Sequence, residues 1–231
     1  YIVFSFYLEW LKFCLLANYM ARARAILQSD FPYNISARCI NREWFNLPMN
    51  KVWDIFCSEL SDVCEKHQLK IHSFVLMSNH FHLIATTPKA NISHCMQHFM
   101  GRTSRRLARA GNRINETFAG RHYKCVLQHP NYYLNAYKYN YRNPVTASIC
   151  QNVESYPFST LQFTTGQSIP HIPLAEDTTY ISDPIGTLAW LNQTPERSKL
   201  EAVQNSMRHS YFKSRIDKKS GLPIIQENDL L

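Results

Sequence analysis

The sequence predicts an α+β fold: a single antiparallel sheet laid down in the order βαββαβ, with one more helix after the last strand. Three observations predict it. Apolar and polar residues alternate around positions 33–39 and 80–86, which is the period of a half-buried strand. Residues 50–67 and 92–109 instead repeat apolar side chains every three or four positions, the period of an amphipathic helix. Between two strand-like runs lies only Ser78-Asn79, a gap that forces a tight hairpin and antiparallel pairing.

Taken in order, Tyr33, Ile35, Ala37 and Cys39 face one way in the first strand, with Asn34, Ser36 and Arg38 opposite. The helix at 50–67 collects Val52, Trp53, Phe56, Leu60, Val63 and Cys64 on one face. Residues 70–77 form the second strand and 80–86 the third. The next helix carries an apolar stripe of Ile92, Cys95, Met96, Phe99, Met100, Thr103 and Leu107. A short strand is expected near residues 122–128, followed by a tyrosine-rich helix that Pro144 should end, since proline has no N–H to donate and biases Asn143 away from helical geometry. This arrangement is the ferredoxin-like one. It leaves helices on one side of the sheet and the other side free, so that the tyrosine helix can lie against the free face. Beyond residue 160 the pattern is weaker. Residues 164–167 and 170–173 read as loop, and 195–212 as a helix capped by Thr194, with Leu200, Val203, Met207 and Tyr211 on one face.

The 231 residues carry a net charge of +8, and 45% of them are hydrophobic, which excludes a disordered polar chain. The charge is concentrated: seven cations stand between Gly101 and Cys125 against one anion, Glu116. Arg102, Arg105, Arg106 and Arg109 share one flank of the second helix, and Arg121 follows. Clustered arginines of this kind suit phosphate-backbone binding, although a charge run is more often a solvated helix face. Seven scattered cysteines, with no Cys-x-x-Cys pair, argue against a disulfide framework or a zinc knuckle and for a reducing cytoplasm. His94 and His98 are spaced i, i+4 on the second helix, but nothing nearby in sequence completes a metal site with them.

The most informative residues are His80 and His82. On a strand they project from the same face, about 7 Å apart, while Phe81, Leu83 and Ala85 enter the core. Two imidazoles so placed can converge on one divalent ion, though they leave its shell incomplete. Downstream, Tyr139 and Asn143 stack one turn apart on the tyrosine helix. A phenol and a carboxamide beside a metal suit attack on a phosphodiester, the amide oxygen helping to hold the metal. A tyrosine-rich helix that only packs is the simpler alternative.

The motifs Met77-Ser78-Asn79-His80-Phe81-His82, Phe118-Ala119-Gly120-Arg121, Tyr139-Asn140-Tyr141-Arg142-Asn143-Pro144-Val145 and Tyr156-Pro157-Phe158-Ser159-Thr160 resemble, in order and spacing, those of the REP-associated tyrosine transposases. These belong to the insertion-sequence tyrosine transposases with a His-hydrophobic-His motif. The resemblance runs from about Met20 to Thr160. It implies a catalytic domain over residues 20–160 and an accessory segment over 161–231. It implies a bacterial, nucleoid-associated endonuclease and strand transferase acting on single-stranded or hairpin DNA as a monomer or homodimer. Tyr139 would be the nucleophile, giving a 5′-phosphotyrosine link, and His80, His82 and Asn143 would hold Mg²⁺ or Mn²⁺. The sequence departs from the family at Asn34, where histidine is common, and at Tyr141-Arg142, where aliphatic residues or histidine are usual. Two rival readings stand beside this one: a non-catalytic nucleic-acid-binding module on the same fold, and a metal-dependent hydrolase that uses water.

Residues 1–19 are strongly apolar, but Glu9 and Lys12 sit at their centre, each costing about 3 kcal/mol in a bilayer. No signal-peptide pattern is present. The resemblance begins at Met20, so the native start is expected there and no membrane partner is expected.

Overall fold

The computed structural model describes residues 26–114, 116–218 and 220–231. The expectations for residues 1–19, and for the start at Met20, lie outside the described residues. Strands β1 (Tyr33–Arg38), β2 (Lys70–Leu76), β3 (His80–Thr86) and β4 (Tyr123–Val126) alternate with helices α1 (Met49–His67) and α2 (Ile92–Ala110) in the expected βαββαβ order. The strands lie in the order β2-β3-β1-β4, every neighbouring pair antiparallel. The helices that follow are α3 (Pro130–Thr146), α4 (Leu161–Thr164), α5 (Thr178–Ser182), α6 (Pro184–Asn192) and α7 (Arg197–Ser206).

One face of the sheet is buried under α1 and α2. Tyr33, Ile35, Phe81, Leu83 and Ala85 meet Phe56, Leu60, Phe99 and Leu107 there. Phe56 is the hub, with the rings of Phe74, Phe81, Phe99 and Phe118 all within 6.4 Å of its own. Phe74 stacks on Phe56 and the other three rings meet it edge to face, packing that contributes beyond the burial of apolar area.

The second face is not free. Val75, Met77, Ile84, Cys125 and Leu127 form a second core with Tyr137 and Tyr141 of α3, Leu191 of α6 and Val203 of α7. The reason is legible in β2 and β3, where Phe74-Val75-Leu76-Met77 and Leu83-Ile84-Ala85 are apolar without a break; a strand buried on both sides loses its alternation. Both sheet edges are covered as well. Thr160 N donates to the Phe74 carbonyl beside β2, while Val126 N donates to Ser210 O and Phe212 N to Val126 O beside β4. That pairing stops α7 at Ser206, short of the expected residue 212, because residues 210–212 run extended along β4. Thr194 does not cap α7, which starts at Arg197 after Glu196.

Pro144 does not end α3. The helix continues to Thr146, with Ala147 N donating to Asn143 O at 3.0 Å. Proline removes only its own donor, and the next turn is bonded on either side of that gap. Among the described residues, no helix is long and apolar enough to cross a membrane, and the cysteines are free.

Candidate active site

The polar residues on the second sheet face gather at one end. The register sets His80 opposite Arg38 and His82 opposite Ser36, so alternation on β1 and β3 delivers all four side chains to the same side. The two imidazole rings stand 5.1 Å apart and nearly perpendicular. Tyr139 descends from α3, its ring 5.8 Å from that of His82. They line one cavity of about 590 Å³.

His82 is only 8% exposed, and among the described residues neither of its ring nitrogens has a hydrogen-bond partner. A buried imidazole left in that state is costly, and a bound cation is a natural remedy. Burial, and then the charge of Arg38, push the His80 imidazole down to about 4. Burial pushes His82 well below the ordinary value, with His80 and Arg38 adding to the effect. Both rings are therefore neutral at pH 7 and carry lone pairs. The donor set, two neutral imidazoles on one sheet face, one buried and one half-buried, fits a divalent metal.

Tyr139 has its phenol raised by burial; the amides of Asn143 and Gln204 and the charges of Arg208 and Arg38 pull the other way. Its neighbours Tyr137 and Tyr141 are wholly committed to the fold. The Tyr137 hydroxyl donates to Asp177 Oδ2 at 2.6 Å, and that of Tyr141 pairs with Thr160 Oγ1 at 3.0 Å. The Asn143 amide lies beside Tyr139 but turns back along the helix, with Nδ2 donating to the Tyr139 carbonyl at 3.0 Å.

Four arginines line the cavity: Arg38, Arg42, Arg121 and Arg208. Among the described residues none of them forms an ion pair, and no acid lines the cavity. Arg121 arrives there through a local device. Phe118 is buried in the first core, Ala119 N donates to Arg38 O, and Gly120 turns the chain at φ +121°, a backbone conformation that L side chains rarely adopt.

The other expected arginines are elsewhere. Arg102, Arg105, Arg106 and Arg109 stand on α2, across the sheet from the histidines. Arg102 Nε and Arg106 Nη1 bind the buried Glu59 carboxylate of α1 at 2.7 and 2.8 Å. Arg105 and Arg109 are exposed. His98, by contrast, is not isolated. Its Nε2 is 2.8 Å from Asp62 and its Nδ1 is 2.9 Å from His67 Nε2. Glu59, Asp62 and His98 offer ligand atoms within 4.8 Å of one another. The two carboxylates already answer Arg102, Arg106 and Lys66 at 2.7–2.8 Å, so this cluster reads as an ion-pair network tying α1 to α2.

Sequence reasoning passed over Arg38, Arg42, Gln204 and Arg208. Arg38 was readable, since it alternates with Ser36 and Asn34 on the strand that neighbours the histidines. Gln204 and Arg208 carry no such signal; only the docking of α7 brings them to Tyr139.

Residues 33–142 match the model of the IS200-like transposases. Among solved structures, the REP-associated tyrosine transposase bound to a REP hairpin is similar at 18% identity and a TM-score of 0.55. The match covers 69% of this chain and 94% of that one, and shows a shared fold. A protein from Deinococcus radiodurans R1 described as a candidate transposase matches at 16% identity and a TM-score of 0.36, over 68% of this chain and 100% of that one. The chain has no significant match among curated proteins.

Proposed function

We propose, from the match of residues 33–142 to the IS200-like transposases, that this chain cuts and rejoins single-stranded DNA through a 5′-phosphotyrosine link to Tyr139. The observation that carries the reading is the meeting, in one acid-free cavity, of the Tyr139 phenol, two neutral imidazoles and four arginines. The hairpin held by the similar REP-associated transposase supports hairpin-bearing DNA as the substrate class.

In this mechanism Arg38, Arg42, Arg121 and Arg208 bind backbone phosphates and orient the strand. The Tyr139 Oη attacks the scissile phosphorus. A P–O bond forms to the phenol oxygen and the P–O3′ bond breaks. The phenol gives up its proton and the departing O3′ takes one up, leaving a free 3′-hydroxyl. The energy of the phosphodiester is kept in the covalent link, so a 3′-hydroxyl can reverse the step and rejoin DNA without a nucleotide cofactor. His80 and His82, with the amide oxygen of Asn143 once its side chain turns from the helix backbone, would hold Mg²⁺ or Mn²⁺, which supplies Lewis-acid polarisation of the scissile phosphate. Because burial raises the Tyr139 phenol above its usual range, its deprotonation needs help, and the Arg208 and Arg38 charges provide part of it.

The test is a gel assay with 5′- and 3′-labelled hairpin-bearing single-stranded DNA and Mn²⁺. The expected result is a protein–DNA adduct that carries only the 3′ label and is absent from Tyr139→Phe. Cleavage at an undiminished rate by Tyr139→Phe would transfer the reaction to water as nucleophile. DNA binding without any adduct or cleavage would make the chain a binding module.

A further inference from the structure

Asn79, the residue just before His80, holds two parts of the cavity at once. Its Nδ2 lies 2.8 Å from the carbonyl oxygen of Arg42. A main-chain carbonyl only accepts, so the atom facing it must be the amide nitrogen. The amide oxygen is then the atom 2.7 Å from His80 Nδ1. An amide oxygen also only accepts, so Nδ1 of His80 must carry the proton, and in the neutral ring the lone pair is left on Nε2. The assignment follows from donor and acceptor chemistry alone. The amide itself is firmly set, because Cys39 N donates to Asn79 O at 2.8 Å and Met77 N to His80 O at 2.8 Å, closing the hairpin on both sides.

The other end of the clamp is unusual backbone. Asn41 and Arg42 are consecutive non-glycine residues with φ of +55° and +59°. Such residues persist only where the surroundings hold them. Arg42 N donates to Cys39 O at 3.2 Å, Glu43 N to Ile40 O at 3.0 Å, and Asn79 ties down the Arg42 carbonyl. Both residues of this turn line the cavity. Among the described residues His82 has no such clamp, for both of its ring nitrogens lack a partner there.

We propose that Asn79 is a positioning residue that presets His80 as its Nδ1–H tautomer, leaving Nε2 as the metal-facing atom, and that pins the Asn41–Arg42 turn which presents Arg42 to DNA. The inference rests on the reading of His80 and His82 as a metal pair. It makes the two histidines unequal: His80 is ready before the ion arrives, while His82 is oriented by the ion. Partners that fix the tautomer of a ligating histidine typically alter metal affinity 10- to 100-fold when removed.

The test uses the full chain and two variants. Long-range ¹⁵N–¹H spectra of the metal-free protein read the His80 tautomer, Mn²⁺ titration reads affinity, and anisotropy of a labelled single strand in EDTA reads DNA binding. Wild type should show Nδ1–H at His80. Asn79→Ala should lose that preference and bind Mn²⁺ about 10- to 100-fold more weakly. Asn79→Asp keeps the acceptor for His80 but cannot donate to Arg42; it should retain the Nδ1–H form while its DNA affinity falls. An Nε2–H form in wild type would overturn the proposal, as would an Asn79→Ala protein with unchanged tautomer and Mn²⁺ affinity. A wild-type protein that shows Nδ1–H but binds no Mn²⁺ would refute the metal reading of the histidine pair and leave the tautomer assignment supported.

Discussion

Replacing Arg121 with alanine removes one of the four guanidinium groups that line the cavity. Its side chain has no hydrogen bond or ion pair among the described residues, so the fold should be indifferent to the change. The effect on DNA binding can be worked from the count. Each phosphate neutralised on a single strand contributes about −0.7 to the slope of log affinity against log salt. With all four arginines engaged, the slope is about −2.8, and raising salt from 50 to 200 mM weakens binding roughly 50-fold. With three, the slope is about −2.1 and the same change weakens binding roughly 20-fold. The assay is anisotropy of a labelled single strand in EDTA, so that binding is read without cleavage, across a salt series. A double variant, Arg105→Ala with Arg109→Ala, serves as the contrast, since those arginines lie on the far side of the sheet. If Arg121→Ala leaves the slope untouched while the α2 double variant flattens it, the strand runs along the helical layer, and the assignment of phosphate binding to the cavity is refuted.

Two further outcomes follow from the buried titratable groups. His80 and His122 are both pushed down to about 4 by burial, and His82 is pushed well below its ordinary value. Between those values and about 6.5 the unfolded chain binds more protons than the folded one. The stability of the metal-free protein should therefore be complete above pH 6.5 and fall with decreasing pH, by about 1.4 kcal/mol per pH unit for each imidazole. Urea midpoints measured from pH 7.5 to 5 check this above the range in which most carboxylates titrate, and a flat profile would refute it. Tyr137→Phe deletes the 2.6 Å hydrogen bond to Asp177 and should cost about 1–2 kcal/mol, read as a lower melting temperature, while adduct formation persists. Loss of the adduct in a folded Tyr137→Phe protein would move the nucleophile away from Tyr139.

The strands, their faces and the hairpin were legible because they depend on local periods. A period of two in β1 and β3 already sends Asn34, Ser36, Arg38, His80 and His82 to one side, whatever the remainder of the chain does. The first core under α1 and α2 follows from the same patterning. The proline at 144 misled because its local rule is a preference, and one lost donor is a small cost to a helix whose next turn is otherwise bonded.

Selection among like residues was a tertiary matter. Tyr137, Tyr139 and Tyr141 stand at every second position on α3; the spacing to Asn143 in the resembling motif singles out Tyr139, but periodicity alone does not place any of them beside the histidines. Packing decides it: Asp177 and Thr160 engage two hydroxyls and leave Tyr139 facing the cavity. The arginines are sorted in the same way, since Glu59 on a separate helix occupies Arg102 and Arg106, while among the described residues nothing acidic pairs with Arg38 or Arg121. Gln204 and Arg208 join the site only because α7 folds back over the second sheet face. Local periodicity states which way a side chain points. Which distant side chain it meets is decided by the burial of apolar surface between elements far apart in the chain, and that depends on the shape of the whole molecule.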